Sequence, residues 1–591
     1  FLGAAKSPEE IAKVARERKA ECVAVGYRLD PNAAKNLIAR LIAALEHEAI
    51  SPKLLFGGTP PVAEVASASG LFDVVFSGKE DVDEVIAYLR GGRSAGQVAT
   101  YADNLVDRIA EKAPYPVLRH HFGLPSVHAT VDGIKEIAEA EVLDIISLGP
   151  DQNFQANYFR PEDMDRDQDG AGGVPVRSEA DLRELYDASR RGNYPLMRCY
   201  SGTRDVISMA GLLNKTIHNA WGAIPLFWYN VLDGRGPRGV KESITEAQTA
   251  MEWHAQQGIP VEVNESHHWS LRDAPDVVAV AAAYLTAYNA KKAGVRQYVS
   301  QYMLNTPPGT SVEMDLGKML AKDELINSLA DENFTVLRQV RAGLSSFPTD
   351  LSLAKGQLAT STLVGMNLRP HIVHVVGFCE GDHIANPEDV IESCRIARGV
   401  IRNCLHGMPD MTKDSRVQAR KRELIRDAKT LLAGLLEVAG LMDDADGRVP
   451  DAVMVDGTVG GRKASGEEDA LSLVRRLTSA AGAVDSRATG DREAGNRGAS
   501  GGAADDSAAN EDLCPIDPYT DPGVLAAAVK RGLFDAPHLA GNPAACGEIE
   551  TAIVDGACLA VDPVSKKPIS EAVRVEAALD RLRRARSRKT A

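Results

Sequence analysis

Between about residues 115 and 380, short apolar segments typical of buried strands alternate with longer segments that have helical spacing. Eight such strand segments occur, and each is followed by a helical one, for example 240–257 and 276–293. Eight consecutive β/α units are the pattern of a (β/α)8 TIM barrel, and an open doubly wound sheet is the alternative. The strands are predicted at residues 116–120, 143–148, 195–199, 224–229, 260–264, 297–303, 335–341 and 371–378.

The segment before the barrel also alternates between strand and helix. Strands are predicted at 21–26, 53–56 and 72–76, with helices at 32–50 and 80–89. This order is typical of a doubly wound, Rossmann-like sheet. We therefore divide the chain into an N-terminal α/β domain over residues 1–95 and a barrel domain over 96–442.

Residues 443–512 differ in composition from the rest of the chain. They are rich in Gly, Ala, Ser and Asp and hold few aromatic side chains. Such a segment buries too little apolar surface to offset the entropy lost on ordering, so a disordered linker is predicted. Residues 513–591 return to a globular composition and are predicted to complete the barrel domain.

Composition limits the classes of function. The net charge of -15 argues against a nucleic-acid-binding surface. The 8 cysteines include no Cys-x-x-Cys pair, so neither a zinc site nor a disulfide framework is expected. Neither a long uncharged apolar run nor a signal peptide is visible, which predicts a cytoplasmic protein without a membrane span.

Polar and aromatic side chains lie at the carboxyl ends of the predicted strands, where barrel enzymes place their chemistry. Arg119 and Arg198 end the first and third strands, and a guanidinium offers paired donors to a carboxylate. Tyr229 and Asn230 follow the fourth strand, and Glu265 follows the fifth. A structural ion pair is the alternative for each arginine.

Two further patterns invite other chemistry. The pairs His120-His121 and His267-His268 could contribute metal ligands, but adjacent strand residues point to opposite faces, so hydrogen-bonded rim histidines are the favoured interpretation. Lys318 could form a Schiff base, as could Lys355, although both fall in helical segments where an exposed lysine is more common.

Several of these segments resemble the adenosylcobalamin-dependent mutases, in particular the large subunit of glutamate (methylaspartate) mutase. The similarity runs from about 110 to 440 and from 520 to 590. It includes the Arg198 segment with Ser201-Gly202-Thr203-Arg204-Asp205, the Tyr229-Asn230-Val231 motif, the strand end at Val263-Asn264-Glu265, Gly532-Leu533-Phe534-Asp535-Ala536-Pro537 and Pro568-Ile569-Ser570-Glu571. The N-terminal domain resembles part of a cobalamin-binding domain, with Gly57-Gly58 matching its glycine pair.

The resemblance implies a radical isomerase that uses adenosylcobalamin and a small-molecule acid. It implies that Arg119, Asn157 and Arg198 bind the substrate together with Tyr229 and Asn230. It assigns catalytic positions to Glu265 and Tyr229, a ribose contact to Glu380, and cobalamin contacts to Gly57 and Gly58. The Asp-x-His-x-x-Gly motif that ligates cobalt is absent, so we expect it before Phe1 or on a small cobalamin-binding subunit. A homo-oligomer is also expected.

The chain departs from the family at its substrate site. Asn157 stands where the family has an arginine, Ala223 where it has a glutamate, and Asp233 where it has a tyrosine. These changes predict a related acid, with one carboxylate rather than two. A corrinoid-dependent methyltransferase, an aminomutase that also uses pyridoxal phosphate, and a non-catalytic cobalamin-binding protein are the competing interpretations.

Overall fold

The structure is a computed structural model that describes residues 2–78, 80, 85, 88, 89, 101–443 and 517–590. The chain forms two compact units, Phe1–Thr100 and Tyr101–Ala591. Most of the helix predicted at 80–89, and all but the first residue of the linker predicted at 443–512, lie outside the described residues.

The N-terminal unit contains a parallel three-stranded sheet in the order β1-β2-β3. Apolar side chains of the strands and of three helices share one core, which includes Phe56, Leu41 and Val62. The α/β character predicted for this unit is confirmed. The elements are β1 Cys22–Gly26, β2 Lys53–Gly57, β3 Val74–Phe76, α1 Pro8–Glu17, α2 Pro31–His47 and α3 Pro60–Ala68.

Eight parallel strands in the second unit form a nearly closed barrel, as predicted. Seven neighbouring pairs are joined by regular ladders in the order β6-β5-β4-β11-β10-β9-β8-β7. Between β6 and β7, where no regular ladder forms, two isolated hydrogen bonds connect the backbone: Ala220 N donates to Met197 O (2.9 Å), and Ser201 N donates to Ala223 O (3.3 Å). The strands are β4 Val117–Phe122, β5 Ile145–Leu148, β6 Leu196–Arg198, β7 Gly222–Ile224, β8 Val261–Val263, β9 Gln297–Leu304, β10 Thr335–Ala342 and β11 Ile372–His374.

One strand lies earlier than predicted. The sequence predicts it at 224–229, whereas β7 ends at Ile224. Residues 226–229 are apolar and buried, but they form a loop. The backbone N–H groups of Leu226 and Phe227 donate to the Glu265 carboxylate instead of to a neighbouring strand. Because the loop is buried, its sequence is as apolar as that of a strand, and this led to the wrong position.

Helices surround the barrel, and N-cap side chains begin many of them. Ser126, Asp151, Ser178 and Ser311, for example, each accept a hydrogen bond from a backbone N–H of the first helical turn. The helices are α4 Leu105–Lys112, α5 Val127–Glu139, α6 Gln152–Asn157, α7 Glu179–Ala188, α8 Val206–Ile217, α9 Val240–Gln256, α10 Ser266–Ser270, α11 Asp276–Lys292, α12 Val312–Asn327, α13 Leu351–Gly365, α14 Pro387–His406 and α15 Ser415–Asp443. Single-turn 3-10 helices occur at Pro161–Asp163, Arg166–Gln168, Leu344–Ser346, Met366–Leu368, Phe378–Gly381, Met411–Lys413 and Pro537–Leu539.

The C-terminal segment packs on the outside of the barrel. Its elements are α16 Pro522–Arg531, the antiparallel hairpin β12 Glu550–Val554 and β13 Ala557–Val561, and α17 Glu571–Thr590. Leu525 and Phe534 lie in the same apolar cluster as the side chains of α11 and α15. No helix among the described residues is both long enough and apolar enough to span a bilayer.

A buried ion cluster joins α11, α12, α15 and the hairpin. Lys318 Nζ lies 3.1 Å from Asp276 Oδ1 and 2.9 Å from Asp315 Oδ1, and it donates to Thr306 O (2.6 Å). Arg420 Nη2 pairs with Asp276 Oδ2 at 2.8 Å. The two carboxylates and two cations balance in charge, which makes their burial tolerable.

Lys322, one helical turn after Lys318, leads to a pH-dependence prediction. Burial and the Lys318 charge lower the pKa of Lys322 to about 7, whereas an unfolded lysine titrates near about 10.4. Between these values the unfolded chain binds one more proton, so stability rises with pH. We expect the free energy of unfolding of the Lys322→Met variant to rise less steeply with pH than that of the wild type. The two slopes should differ by about 1.4 kcal/mol per pH unit. Urea denaturation between about pH 7.5 and 9.5 measures the difference, and parallel curves would contradict the prediction.

Candidate functional site

The barrel interior changes from apolar to polar along its strands. Side chains two residues apart on a strand share a face, so Val117 and Arg119 both point inward, as do Leu196 and Arg198. The first inward residues form an apolar floor at the amino end, whereas the next ones are polar and lie toward the carboxyl end. The floor contains Val117, Ile145, Leu196, Trp221, Val299, Leu337 and Ile372.

Arg119 and Arg198, predicted to bind a carboxylate, meet inside the barrel. Arg119 Nη1 donates to Ser147 Oγ at 2.8 Å, and Arg198 Nη1 donates to the same oxygen at 3.4 Å. Both guanidinium groups lie over the Trp221 ring, at 5.7 and 5.0 Å from its centroid. Both side chains are almost completely buried. The two arginines therefore form one cationic cluster above the floor.

A third arginine, Arg341, belongs to the same cluster and was missed at the sequence level. It lies two residues after Gln339 on β10, and Gln339 faces the interior because its Nε2 donates to Gln301 Oε1 (3.0 Å). The charges of Arg198 and Arg341 interact. The signal was present in the sequence, since a predicted strand with polar residues at positions 339 and 341 presents both to one face.

Glu262 is the carboxylate that faces these guanidinium groups from the interior. Its Oε2 accepts from Trp221 Nε1 (2.7 Å), and its Oε1 accepts from Gln339 Nε2 (3.2 Å). Arg198 Nη2 lies 3.7 Å from Oε2, which is an ion-pair distance but too long for a hydrogen bond. Three cations thus face one fully buried anion, and the partly exposed Glu380 carboxylate also acts on Arg341.

Several buried donors in this cluster find no acceptor among the described residues. They are Arg119 Nε, Arg198 Nε and Arg198 Nη2. A buried guanidinium N–H without an acceptor is costly, and burial together with the neighbouring Arg198 charge holds the pKa of Arg119 well below its usual range. Such donors are suited to an anion that enters the barrel from its carboxyl end.

Neutral histidines and a tyrosine line the wall beside the arginines. Arg119 Nη2 donates to His374 Nδ1 (2.7 Å), and the Tyr200 hydroxyl lies 2.9 Å from His121 Nε2. Burial and the charge of Arg119 hold the pKa of both histidines well below the usual range. The wall therefore adds no positive charge at neutral pH, although it offers hydrogen-bonding groups.

Tyr229 lies near this cluster, whereas Asn230 has a structural role. The pKa of Tyr229 is raised by burial, next by the nearby Tyr200, and the Arg198 charge opposes the shift. Its backbone adopts φ 65°, and its ring lies 5.7 Å from that of His268. Asn230 instead donates to Phe227 O (2.8 Å) and accepts from Leu232 N (2.9 Å), so its amide holds the loop together.

Glu265, predicted to be catalytic, is fully engaged in holding the loop after β7. Its Oε2 accepts from Leu226 N (2.9 Å) and Phe227 N (3.2 Å), and its Oε1 accepts from Trp269 Nε1 (3.0 Å). Burial raises the pKa of Glu265 to about 8, although these three donors favour the ionised form. The geometry makes it a positioning residue for residues 226–229.

A glutamine at position 265 should destabilise this loop. Its amide nitrogen would face a donor N–H in place of one carboxylate oxygen, so we expect Glu265→Gln to lower the free energy of unfolding by about 1–3 kcal/mol. Thermal and urea denaturation at about pH 9, above the pKa of Glu265, measure this loss. Glu252→Gln, on the outer helix α9, is the control and should remain within about 0.5 kcal/mol of wild type. An unchanged stability of the Glu265 variant would show that the three contacts contribute nothing.

Asn157 lies in a loop network rather than in the arginine cluster. Its Oδ1 accepts from Arg204 Nη1 (3.1 Å), and its Nδ2 donates to Asp163 O (3.0 Å). Arg204 also pairs with Asp163 at 3.2 Å. Asp233, the other changed family position in a loop, accepts from Tyr229 N (3.3 Å).

Glu380 follows β11 at the carboxyl end of the barrel and is 26% exposed. Its Oε1 accepts from Gly377 N at 2.9 Å and lies 3.5 Å from His120 Nε2. Within the described part of the chain, Oε2 accepts no hydrogen bond. This free oxygen fits the ribose contact that the sequence resemblance implies.

Gly57 and Gly58, predicted to contact cobalamin, lie at the carboxyl end of β2 in the N-terminal unit. Gly57 ends β2, and a Cβ there would meet nothing within 4 Å, whereas a Cβ on Gly58 would lie 2.6 Å from Tyr27 O. Gly57 thus leaves space at the carboxyl edge of the sheet, where ligands of α/β sheets bind. His47, the histidine of this unit, ends α2 and is exposed beside Glu48. The described residues of the unit offer no cobalt ligand at that edge.

No model of a protein family matches the chain, and comparison with curated proteins finds no significant match either. The fold and the site together define a nearly closed parallel barrel that holds the buried side chains of Arg119 and Arg198 in its interior.

Proposed function

We propose that the chain is the barrel component of an adenosylcobalamin-dependent mutase that acts on a small dicarboxylic acid. The observation that supports this most strongly is the fully buried Arg198, whose Nε and Nη2 have no acceptor among the described residues. The class of reaction rests on the sequence resemblance. The substrate class rests on the charges inside the barrel.

The charge count favours two carboxylates on the substrate. Arg119, Arg198 and Arg341 contribute three positive charges, and Glu262 contributes one negative charge. Two positive charges remain without a fully buried anion; Glu380 also acts on Arg341, but it is partly exposed, so solvent weakens its contribution. An unpaired buried charge costs several kcal/mol. A dianion would neutralise them. In this proposal Arg341 supplies the cation that is absent at position 157, and the acid carries two carboxylates rather than the one expected from the sequence.

The residues of the chain would bind and orient the acid. Arg198 would donate from Nε and Nη2 to one carboxylate, because a guanidinium presents these two donors side by side. Arg341 would bind the second carboxylate. The Trp221 floor and the Tyr229 side chain would exclude water from the bound acid, which protects a reactive intermediate.

Adenosylcobalamin, when bound, supplies the radical that removes a hydrogen atom from the substrate. Glu380 would bind its ribose. The cobalt ligand would come from outside the described residues, for example from a small cobalamin-binding subunit. The positions of Lys318, buried in ion pairs, and Lys355, paired with Glu392, disfavour the pyridoxal phosphate aminomutase.

The substrate class can be tested without the cofactor. We expect glutamate to raise the thermal midpoint of the full chain, whereas glutamine, which lacks one carboxylate, should not. Ligand binding to the folded state stabilises it in proportion to the logarithm of ligand concentration over Kd. Arg341→Met should abolish the shift with glutamate. Equal shifts with both amino acids, or none with any of a panel of dicarboxylic acids, would contradict the dicarboxylate site.

The reaction class needs a separate experiment. The full chain is incubated anaerobically with adenosylcobalamin and each acid of the panel, and electron paramagnetic resonance records the cofactor. A signal that requires a dicarboxylic acid would support the mutase. Glu380→Gln should weaken it. Turnover with methylcobalamin instead would favour the methyltransferase, and acid binding without any radical signal would favour the non-catalytic protein.

A further inference from the structure

Three metal-ligating side chains converge on the loop between β11 and α14. The ligand atoms of Cys379, His383 and Asp389 all lie within 4.8 Å of one another. Cys379 is buried, Asp389 is partly buried, and His383 is exposed. These three residues are separate from the cationic cluster of Arg119, Arg198 and Arg341.

The backbone of the loop creates this convergence. A 3-10 turn, Phe378–Gly381, follows β11, and the N–H groups of Asp382 and His383 both donate to Cys379 O at 2.8 Å. These two hydrogen bonds to one carbonyl oxygen fold His383 back over Cys379. Asp389 is the third residue of α14, where it forms a capping box with Asn386. Each ligand is therefore held by ordinary secondary structure.

His383 is oriented by a second carboxylate. Its Nδ1 lies 2.8 Å from Asp382 Oδ2, and its Nε2 lies 3.1 Å from Asp389 Oδ2. In metal sites, a ligating histidine typically donates its other ring N–H to a carboxylate, which fixes the tautomer and the ring. Asp382 occupies that position, so Nε2 is directed at the cluster.

We propose that Cys379, His383 and Asp389 bind a Zn²⁺ ion, with Asp382 as the hydrogen-bond partner of His383. Thiolate, imidazole and carboxylate together favour zinc over the harder cations Mg²⁺ and Ca²⁺. Zinc–ligand bonds of about 2.0–2.3 Å require ligand atoms about 3–4 Å apart, so a contraction of about 1 Å suffices. The exposed side of His383 leaves the fourth position to water.

This site goes beyond the proposed mutase function and does not depend on it. Glu380 lies between Cys379 and Asp382 in the same loop. The bound ion would join the 3-10 turn to the start of α14, and so would hold the loop that carries Glu380. The two proposals can fail separately, because zinc binding is measured without cobalamin or acid.

Direct metal titration tests the proposal. The full chain is freed of metal with a chelator and titrated anaerobically with Co²⁺, a spectroscopic substitute for zinc, and then with Zn²⁺. We expect about one equivalent to bind with a thiolate-to-cobalt charge-transfer band. Zn²⁺ should displace the cobalt and raise the thermal midpoint. Cys379→Ser should lose the band, and Asp382→Asn should weaken binding about 10–100-fold.

Matched variants separate a specific site from general affinity for metals. Cys22→Ser removes an exposed cysteine of the N-terminal unit, and His128→Gln removes an exposed histidine that pairs with Asp132. Both should bind Co²⁺ as wild type does. Circular dichroism checks that each variant is folded. No stoichiometric binding, or an identical band in Cys379→Ser, would overturn the proposal and leave His383 as an ion-pair partner of Asp382 and Asp389.

Discussion

The Arg198→Met variant is expected to be at least as stable as the wild type without ligand, yet to bind a dicarboxylic acid about 100-fold or more weakly. Methionine fills much of the arginine volume and removes a buried charge that lacks full hydrogen bonding. Replacing such charges with apolar groups is often neutral or stabilising. Loss of a charged contact to a carboxylate costs about 3–5 kcal/mol, which corresponds to the predicted loss of affinity.

Thermal denaturation and isothermal titration calorimetry with glutamate measure the two effects. Arg108→Met is the matched control, since Arg108 is equally buried but its donors are satisfied by Ala102 O, Tyr194 O and Asn193 O. That variant should lose stability and, once folded, should bind glutamate normally. If Arg198→Met were strongly destabilised but bound glutamate with unchanged affinity, Arg198 would be a structural residue and would not bind the carboxylate.

The Lys318→Met variant is expected to lose about 3–5 kcal/mol of folding free energy. Lys318 is fully buried between Asp276 and Asp315. Its removal leaves Arg420, which pairs with Asp276, and Lys322, whose charge also acts on both carboxylates, as the nearby cations. Burial already raises the pKa of Asp315, although Lys318 opposes the shift. The variant would therefore leave the buried Asp315 carboxylate without its ion pair to Lys318.

Urea denaturation at neutral pH gives the loss directly. Lys355→Met is the control, because Lys355 pairs with Glu392 at a partly exposed surface, where an ion pair contributes about 0–1 kcal/mol. Adding Asp315→Asn to Lys318→Met should restore part of the stability by removing the unpaired charge. A loss below about 1 kcal/mol in the single variant, or no recovery in the double variant, would contradict the assigned role of the cluster.

The sequence predicted the architecture of the barrel better than its site. Its eight strands were all anticipated, and only the fourth was misplaced, because the buried loop at 226–229 is as apolar as a strand. Of the site predictions, Arg119 and Arg198 come together at Ser147. Asn157, by contrast, bonds within a loop network, and both Glu265 oxygens accept hydrogen bonds from the protein itself.

By itself, the sequence determined the succession of strands and helices and the place of Arg119 and Arg198 toward the carboxyl ends of two strands, because both depend on a local periodicity. Only the tertiary structure decided which polar groups share the interior. Closing the barrel brings Arg341 to Arg198 and Glu262, and the same closure determines which of their donors lack an acceptor. Charge balance and hydrogen-bond satisfaction depend on neighbours distant along the chain, and no local pattern encodes them.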